Sequence, residues 1–204
     1  MKKINSKGFT LIELLAVITI MGILMLVAIP AVSRTIENSR RDTYMDTAKA
    51  YINAVKNSVA ADEIRCKEKQ ADTEYKVISA MPEGDYYLAF TTDDKDATVL
   101  NQSADILEQG GKSSWGSSNV KGTIKIHKQV DTQNSGITKY DYSIVMIDEG
   151  GRGIGNDYVA ESGMSRQDVK TAGLNSTYAA AAVGAATVAE GATAAATQCK
   201  VYTS

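Results

Sequence analysis

The sequence predicts an α+β protein in which a long N-terminal α-helix, transmembrane in its first half and amphipathic in its second, packs on an antiparallel β-sheet. Three observations predict this fold. An apolar run starts at residue 9, apolar residues at helical spacing follow it, and two stretches of alternating apolar and polar residues lie further along the chain. Spacings of three and four residues are typical of a helix, whereas strict alternation is typical of a strand.

Length and charge limit the organisation of the chain. Its 204 residues, 44% of them hydrophobic, suffice for one globular domain and one long helix. We divide it into a leader peptide at 1–8, a transmembrane and assembly helix at 9–32, an amphipathic continuation at 33–65 and a β-rich head at 66–204. The head includes an alanine-rich segment at 178–197. The net charge of −2 gives no electrostatic reason to expect nucleic acid as a partner.

The apolar run predicts a membrane span. From Phe9 to Val32 there are 24 residues with one charge, Glu13. At about 1.5 Å per residue this helix is about 36 Å long, which exceeds the hydrocarbon thickness of a bilayer. An ionisable side chain inside a span is costly, so Glu13 is predicted to be functional and to have a partner.

The residues before the span suggest that partner. Lys2, Lys3 and Lys7 form a basic leader that ends at Gly8, and basic residues of this kind stay on the cytoplasmic side. Cleavage after Gly8 gives the next residue a new α-amino group close to Glu13. We predict that this amine in one subunit pairs with the carboxylate in its neighbour, which fixes their register because an unpaired buried charge is unfavourable.

These residues carry a family resemblance. The run Lys7-Gly8-Phe9-Thr10-Leu11-Ile12-Glu13, continued by Leu14-Leu15-Ala16-Val17 and by Ala28-Ile29-Pro30, closely resembles the amino terminus of type IV pilins and pseudopilins. The resemblance implies cleavage between Gly8 and Phe9, N-methylation of Phe9 and helical polymerisation guided by Glu13. It covers only the N-terminal segment, because the heads of these proteins vary widely. A plain signal anchor with an accidental Glu13 is the alternative.

The resemblance also implies partners and a location. The partners are other copies of the chain and other pilins, a prepilin peptidase and methyltransferase, an inner-membrane assembly platform, and membrane lipid before assembly. The precursor is a single-pass membrane protein and the product an extracellular filament. Three roles remain: a pilin for adhesion, motility or aggregation, a pseudopilin of a type II secretion system, and a competence pilin for DNA uptake. We favour the first because the head is large.

Two residues weaken the helix within the span. Pro30 lacks an N–H group and its ring crowds the carbonyl of Leu26, which predicts a kink. The segment from Gly22 to Pro30 resembles the region of pilins that loses helical structure on assembly. An ordinary kink of a membrane helix is the alternative reading. Assembly is thus assigned to Phe9, Glu13, Gly22 and Pro30.

Beyond the span, an apolar stripe predicts one helix from Thr10 to about Glu63. The stripe comprises Ile36, Tyr44, Ala48, Tyr51, Ile52, Val55 and Val59. Strands are predicted at 75–78, 85–91, 120–130 and 137–147, with a hairpin loop at 131–136, a short strand at 158–159 and an edge strand at 198–203. A short helix or turn is predicted at 103–109. The alanine-rich segment is either a small helix or a mobile surface segment.

The remaining candidate sites are few. Cys66 and Cys199 are an even pair in an exported protein and predict a disulfide, with free thiols as the alternative.

His127 is the one histidine, so a His-based triad or multi-His metal site is excluded and we predict neither an enzyme nor a cofactor. An anchored receptor or sensor is the competing class. Other polar groups are read as solvated: the acidic turn Asp93, Asp94 and Asp96, the possible cation ring Asp148, Glu149, Asn156 and Asp157, and the basic patch Lys121, Lys125, Lys128 and Lys139.

Overall fold

The computed structural model describes residues 10–67, 74–91, 113–117, 120–131, 136–174 and 197–202. The chain forms two compact units, Met1–Ser39 and Arg40–Ser204. Several predictions lie outside the described residues: the leader with Gly8 and Phe9, the acidic turn at 93–96, the short helix or turn at 103–109 and almost all of the alanine-rich segment.

One α-helix, α1, spans Leu11–Ala60, close to its predicted bounds. Its hydrogen-bonded structure continues through both Gly22 and Pro30. The helix ends where Asp62 adopts a left-handed conformation with φ 57°, and the N–H of Glu63 then bonds to the carbonyl of Ser58. This closing pattern is typical of helix C-termini.

The helical stripe is correct from Tyr44 onwards. The residues buried along α1 are Tyr44, Ala48, Tyr51, Ile52, Ala54, Val55, Ser58 and Val59. Ile36 was wrongly included, because 49% of its surface is exposed. It precedes Arg40, where the second compact unit begins.

The described part of the head contains eight strands in one sheet. They are β1 (Ile64–Cys66), β2 (Lys76–Val77), β3 (Gly84–Thr91), β4 (Val120–Asp131), β5 (Ile137–Asp148), β6 (Gly153–Ala160), β7 (Val169–Lys170) and β8 (Thr197–Val201). Their spatial order is β2-β1-β8-β3-β4-β5-β6-β7. Neighbouring strands are antiparallel except for β3 and β8, which are parallel. Short 3-10 helices occupy Ile78–Ala80, Glu161–Gly163 and Arg166–Asp168.

The strongest strand patterns were predicted to within one residue. β4 and β5 pair continuously, from Val120 opposite Asp148 to Asp131 opposite Ile137. Three other features differ from the prediction: β1 lies where no strand was predicted, β6 begins at Gly153, ahead of the short strand predicted at 158–159, and β8 is not an edge strand but lies between β1 and β3. These features depend on pairing between distant segments, which local alternation does not encode.

The core lies between the second part of α1 and one face of the sheet. The ring of Tyr51 stacks on that of Phe90, with centroids 4.6 Å apart. Opposite Phe90 in the pairing of β3 with β4 stands Gly122, where a Cβ would fall 2.5 Å from Phe90 Cζ. A glycine is therefore required at this position for the aromatic pair to pack against the sheet.

Two ion pairs join α1 to the segment after β6. Asp42 accepts hydrogen bonds from Nε and Nη2 of Arg166 at 2.6 and 2.5 Å. Lys56 Nζ lies 2.5 Å from Glu161 Oε2. Both pairs are partly exposed, so each contributes modestly to stability, but together they fix the position of residues 161–168 on the helix.

Candidate functional site

The acidic residue of the apolar helix lies in its first turn and bonds to Thr10. The backbone N–H and the hydroxyl of Thr10 both donate to Glu13 Oε2, each at 2.8 Å. The N–H of Glu13 lies 3.4 Å from the hydroxyl oxygen of Thr10 in return. This reciprocal arrangement is a capping box, which satisfies N–H groups that a helix start leaves without partners. Within the described part of the chain, Glu13 Oε1 has no partner.

The helix around this turn exposes an apolar surface. Its large apolar side chains from Leu11 to Val32 are exposed, and the helix is long and apolar enough to cross a membrane. A Cβ built at Gly22 would meet nothing within 4 Å. Packing among the described residues therefore gives no reason for a glycine at this position.

Three of the four predicted assembly residues, Glu13, Gly22 and Pro30, lie on this helix. Gly8 and Phe9 are outside the described residues, so the pairing of the Phe9 amine with Glu13 stays a prediction. Sequence reasoning missed Thr10. The signal was present, because threonine followed by glutamate three residues later at a helix start is the capping-box pattern.

The two cysteines are bonded in the structure. Cys66 and Cys199 stand opposite each other in the pairing of β1 with β8, and a disulfide joins them across 133 positions of sequence. Both side chains are buried. The bond thus attaches β8, the last of the described strands, to the strand that follows α1.

Asp148 is not the solvated turn residue that the sequence suggested. Its side chain is fully buried and accepts hydrogen bonds from Ser113 Oγ at 2.7 Å, from the N–H of Gly150 at 2.9 Å and from Nε of Arg152 at 3.0 Å. The carboxylate therefore closes the β5–β6 turn and ties the loop of Ser113 to it. Among the described residues, no group of three or more His, Cys, Asp or Glu could hold a metal ion.

Lys128 does not belong to the predicted basic patch. Only 3% of its surface is exposed, and its Nζ donates to the carbonyls of Ile78, Ser79 and Met81 at 3.1, 2.7 and 2.6 Å. Burial lowers the pKa of Lys128, and the negative charge of Glu83 acts in the opposite direction. The ammonium group thus anchors the 3-10 turn before β3 to β4.

The outer face of β3 and β4 carries the one histidine. His127 Nδ1 lies 2.6 Å from Asp85 Oδ1, and Lys125 Nζ lies 2.9 Å from Asp85 Oδ2. Partial burial raises the pKa of Asp85, but hydrogen bonds from Lys125 and His127 lower it by more, so the pKa is below its usual value. This partly exposed cluster on the solvent side of the strand consists of one Lys–Asp ion pair and one His–Asp hydrogen bond.

Comparison with known proteins adds one N-terminal motif to this description. Residues 3–29 match the family model described as the prokaryotic N-terminal methylation motif. Neither the curated proteins nor the solved structures gave a match to the chain.

The helix and the motif define a class of protein. It is a membrane-anchored precursor of the α+β class, in which an apolar N-terminal helix is followed in sequence by the head. The motif is a class III signal peptide, typical of type IV pilins and pseudopilins, and supports a pilin-like protein. Such a signal implies processing by a prepilin peptidase and assembly with other pilin-like subunits.

Proposed function

We propose that this chain is a type IV pilin that forms a surface filament for adhesion, motility or aggregation. It is cleaved after Gly8, N-methylated at Phe9 and polymerised through its hydrophobic helix. The observation that carries the proposal is the exposed apolar helix with Glu13 in its first turn, one of whose carboxylate oxygens has no partner among the described residues.

The capping box prepares Glu13 for a partner from another subunit. Oε2 takes both hydrogen bonds from Thr10, which orients the carboxylate and leaves Oε1 available. A charge in hydrocarbon is unfavourable unless it is paired. The α-amine of Phe9 in a neighbouring subunit supplies the opposite charge, and the pair sets the axial register of the two helices.

Gly22 and Pro30 support assembly in a different way. Helical hydrogen bonding is weakest near a proline, which has no N–H to donate, and near a glycine, which gains little from the helical conformation. Packing of helices in a filament supplies partners for backbone groups that such a segment releases. We therefore assign to residues 22–30 the local loss of helix that accompanies polymerisation.

The head suits a subunit that is exposed outside the cell. Its disulfide closes a long loop, and a cross-link of this kind persists in an oxidising environment, where it limits unfolding. The pseudopilin and competence alternatives predict a different location or an added requirement for DNA uptake. Shearing whole cells and probing the released fibres for this chain separates them from the surface pilin.

Mass spectrometry of the mature N-terminus tests the proposal most directly. The expected product starts at N-methylated Phe9, and replacement of Gly8 by a bulky residue leaves the precursor uncleaved. Glu13→Val is expected to be inserted and cleaved but to give few filaments, whereas Glu149→Val in the head serves as the matched control with normal yield. A mature chain that begins at Met1, or one found only as single copies, contradicts the proposal.

A further inference from the structure

In the part of the chain that the structure describes, the first half of β5 has a free edge. β4 pairs with β5 over its whole length, whereas β6 pairs with it only from Ser143 onwards. Among the described residues, no other strand pairs with 137–142. These residues are largely exposed: Ile137 by 62%, and the side chains of Lys139 and Asp141 by 68% and 51%.

The backbone groups that point to this edge can be identified. The N–H of Asp148 donates to the carbonyl of Arg152, at the turn that leads into β6. Because the N–H and C=O groups of every second residue in a strand point to the same side, Thr138, Tyr140 and Tyr142 direct theirs to the free edge. A further strand can therefore bond there without disturbing the pairing of β5 with β4.

We propose that a second copy of this chain adds its own β5 edge, antiparallel, with Tyr140 opposite Tyr140. In this register Lys139 of each copy faces Asp141 of the other, which makes two cross-strand ion pairs. Moving the two-fold axis by one residue in either direction sets Lys139 opposite Lys139, or Asp141 opposite Asp141, and like charges in direct opposition are unfavourable. The charges thus select one register.

The same charges discourage other partners. Charged side chains on an edge strand ordinarily prevent pairing with other sheets. Here a lysine and an aspartate two residues apart, with Nζ and Oδ1 separated by 3.6 Å within the strand, make the edge complementary to itself in the antiparallel direction. A partner strand that lacks a lysine and an aspartate two residues apart would leave Lys139 or Asp141 without an opposite charge.

The symmetry of the contact indicates where it forms, and this step rests on the proposed filament function. Subunits along one helical filament make head-to-tail contacts, in which two different surfaces meet. The β5 contact is two-fold symmetric and joins identical surfaces. It therefore links heads of different filaments and acts in bundling.

The test uses the full-length chain purified in detergent as a mixture of ¹⁴N- and ¹⁵N-labelled protein. A carbodiimide joins an amine to a carboxylate without a spacer, and mass spectrometry then separates products within one chain from mixed-isotope products between chains. The wild-type protein is expected to give a mixed-isotope Lys139–Asp141 product. Lys139→Asp alone leaves only carboxylates at positions 139 and 141, and Asp141→Lys alone leaves only amines, so neither variant by itself can form this product, and in each the facing charges become repulsive.

Mixing the two variants provides the decisive result. In the mixture, the two aspartates of the Lys139→Asp chain face the two lysines of the Asp141→Lys chain. Cross-linking between the two variants is therefore expected to return to the wild-type level. Lys170→Asp on β7 makes the same charge change elsewhere and is expected to have no effect. Thr138→Pro removes one N–H from the edge and is expected to reduce the product, since proline is tolerated where an edge N–H faces solvent.

The proposal is overturned if the wild type gives no mixed-isotope product, or if the mixture of variants does not restore it. Electron microscopy of sheared filaments distinguishes this failure from failure of the filament function. Filaments that form without the cross-link refute only the β5 contact. A cross-link in a chain that never forms filaments refutes the filament function and leaves the contact between heads.

Discussion

Thr10 donates two hydrogen bonds, from its backbone and from its hydroxyl, to a single carboxylate oxygen of Glu13. The acidic residue is therefore oriented by its own chain before a neighbour is present. A carboxylate has room for about four hydrogen bonds, so the other oxygen can accept an incoming amine without loss of the cap.

Removal of the Thr10 hydroxyl tests this orientation. We expect Thr10→Val to be inserted and cleaved but to give several-fold fewer sheared filaments, because loss of an N-cap side chain weakens a helix start by about 1 kcal/mol. Thr10→Ser retains the hydroxyl and is the control with near-normal yield. Equal yields for the valine and serine variants contradict a role for the hydroxyl.

The disulfide is expected to supply a large part of the stability of the head. The loop-entropy relation gives about 4–5 kcal/mol for a loop of this length. Replacing both Cys66 and Cys199 by serine should therefore lower the thermal unfolding temperature of the head by many degrees. Calorimetry of the full chain with and without a reducing agent checks this, and addition of the reductant to the double variant should change nothing.

Asp148 is expected to be the least replaceable carboxylate among the described residues. Its removal leaves the partly buried Arg152 without its ion-pair partner and releases the hydroxyl of Ser113. Breaking a buried ion pair on one side costs about 3–5 kcal/mol. Denaturant unfolding of Asp148→Ala should show a loss of this order, whereas Asp157→Ala, at an exposed position on β6, should show little.

The raised pKa values of Tyr51 and Tyr142 predict that the protein loses stability in alkaline solution. Burial raises the pKa of each phenol to about 12, whereas an unfolded tyrosine titrates near 10. Between these values the unfolded chain binds fewer protons than the folded one, so the free energy of unfolding falls as the pH rises from about 10 to about 12. Denaturant unfolding at a series of pH values measures this decline.

Tyr51→Phe should make the free energy of unfolding fall less steeply between about pH 10 and about pH 12. The buried hydroxyl of Tyr51 also has no hydrogen-bond partner in the described structure, so its removal is expected to leave stability at neutral pH unchanged or to raise it by about 1 kcal/mol. A clear loss of stability at neutral pH would show that the hydroxyl has a partner.

The sequence predicted features with a strong local period. The apolar run, the stripe from Tyr44 to Val59, and the alternation in β4 and β5 each determine an element without reference to the rest of the chain. Lys128 shows where this reasoning was misapplied. Lys128 follows Ile124 and Ile126 on the inward-facing side of β4, but it was predicted to lie in solvent because it is charged. Three carbonyls of a segment almost 50 residues earlier satisfy the ammonium group, and the sequence of β4 does not indicate them.

The position of β8 has a consequence for the order of folding. Among the described strands, β8 is the one that joins β1 and β2 to the rest of the sheet, and it is the strand most distant from β1 in sequence. Closing so long a loop costs chain entropy before the contact stabilises anything. We therefore expect β1 and β2 to be added to the sheet after the local pairing of β4 with β5 has formed.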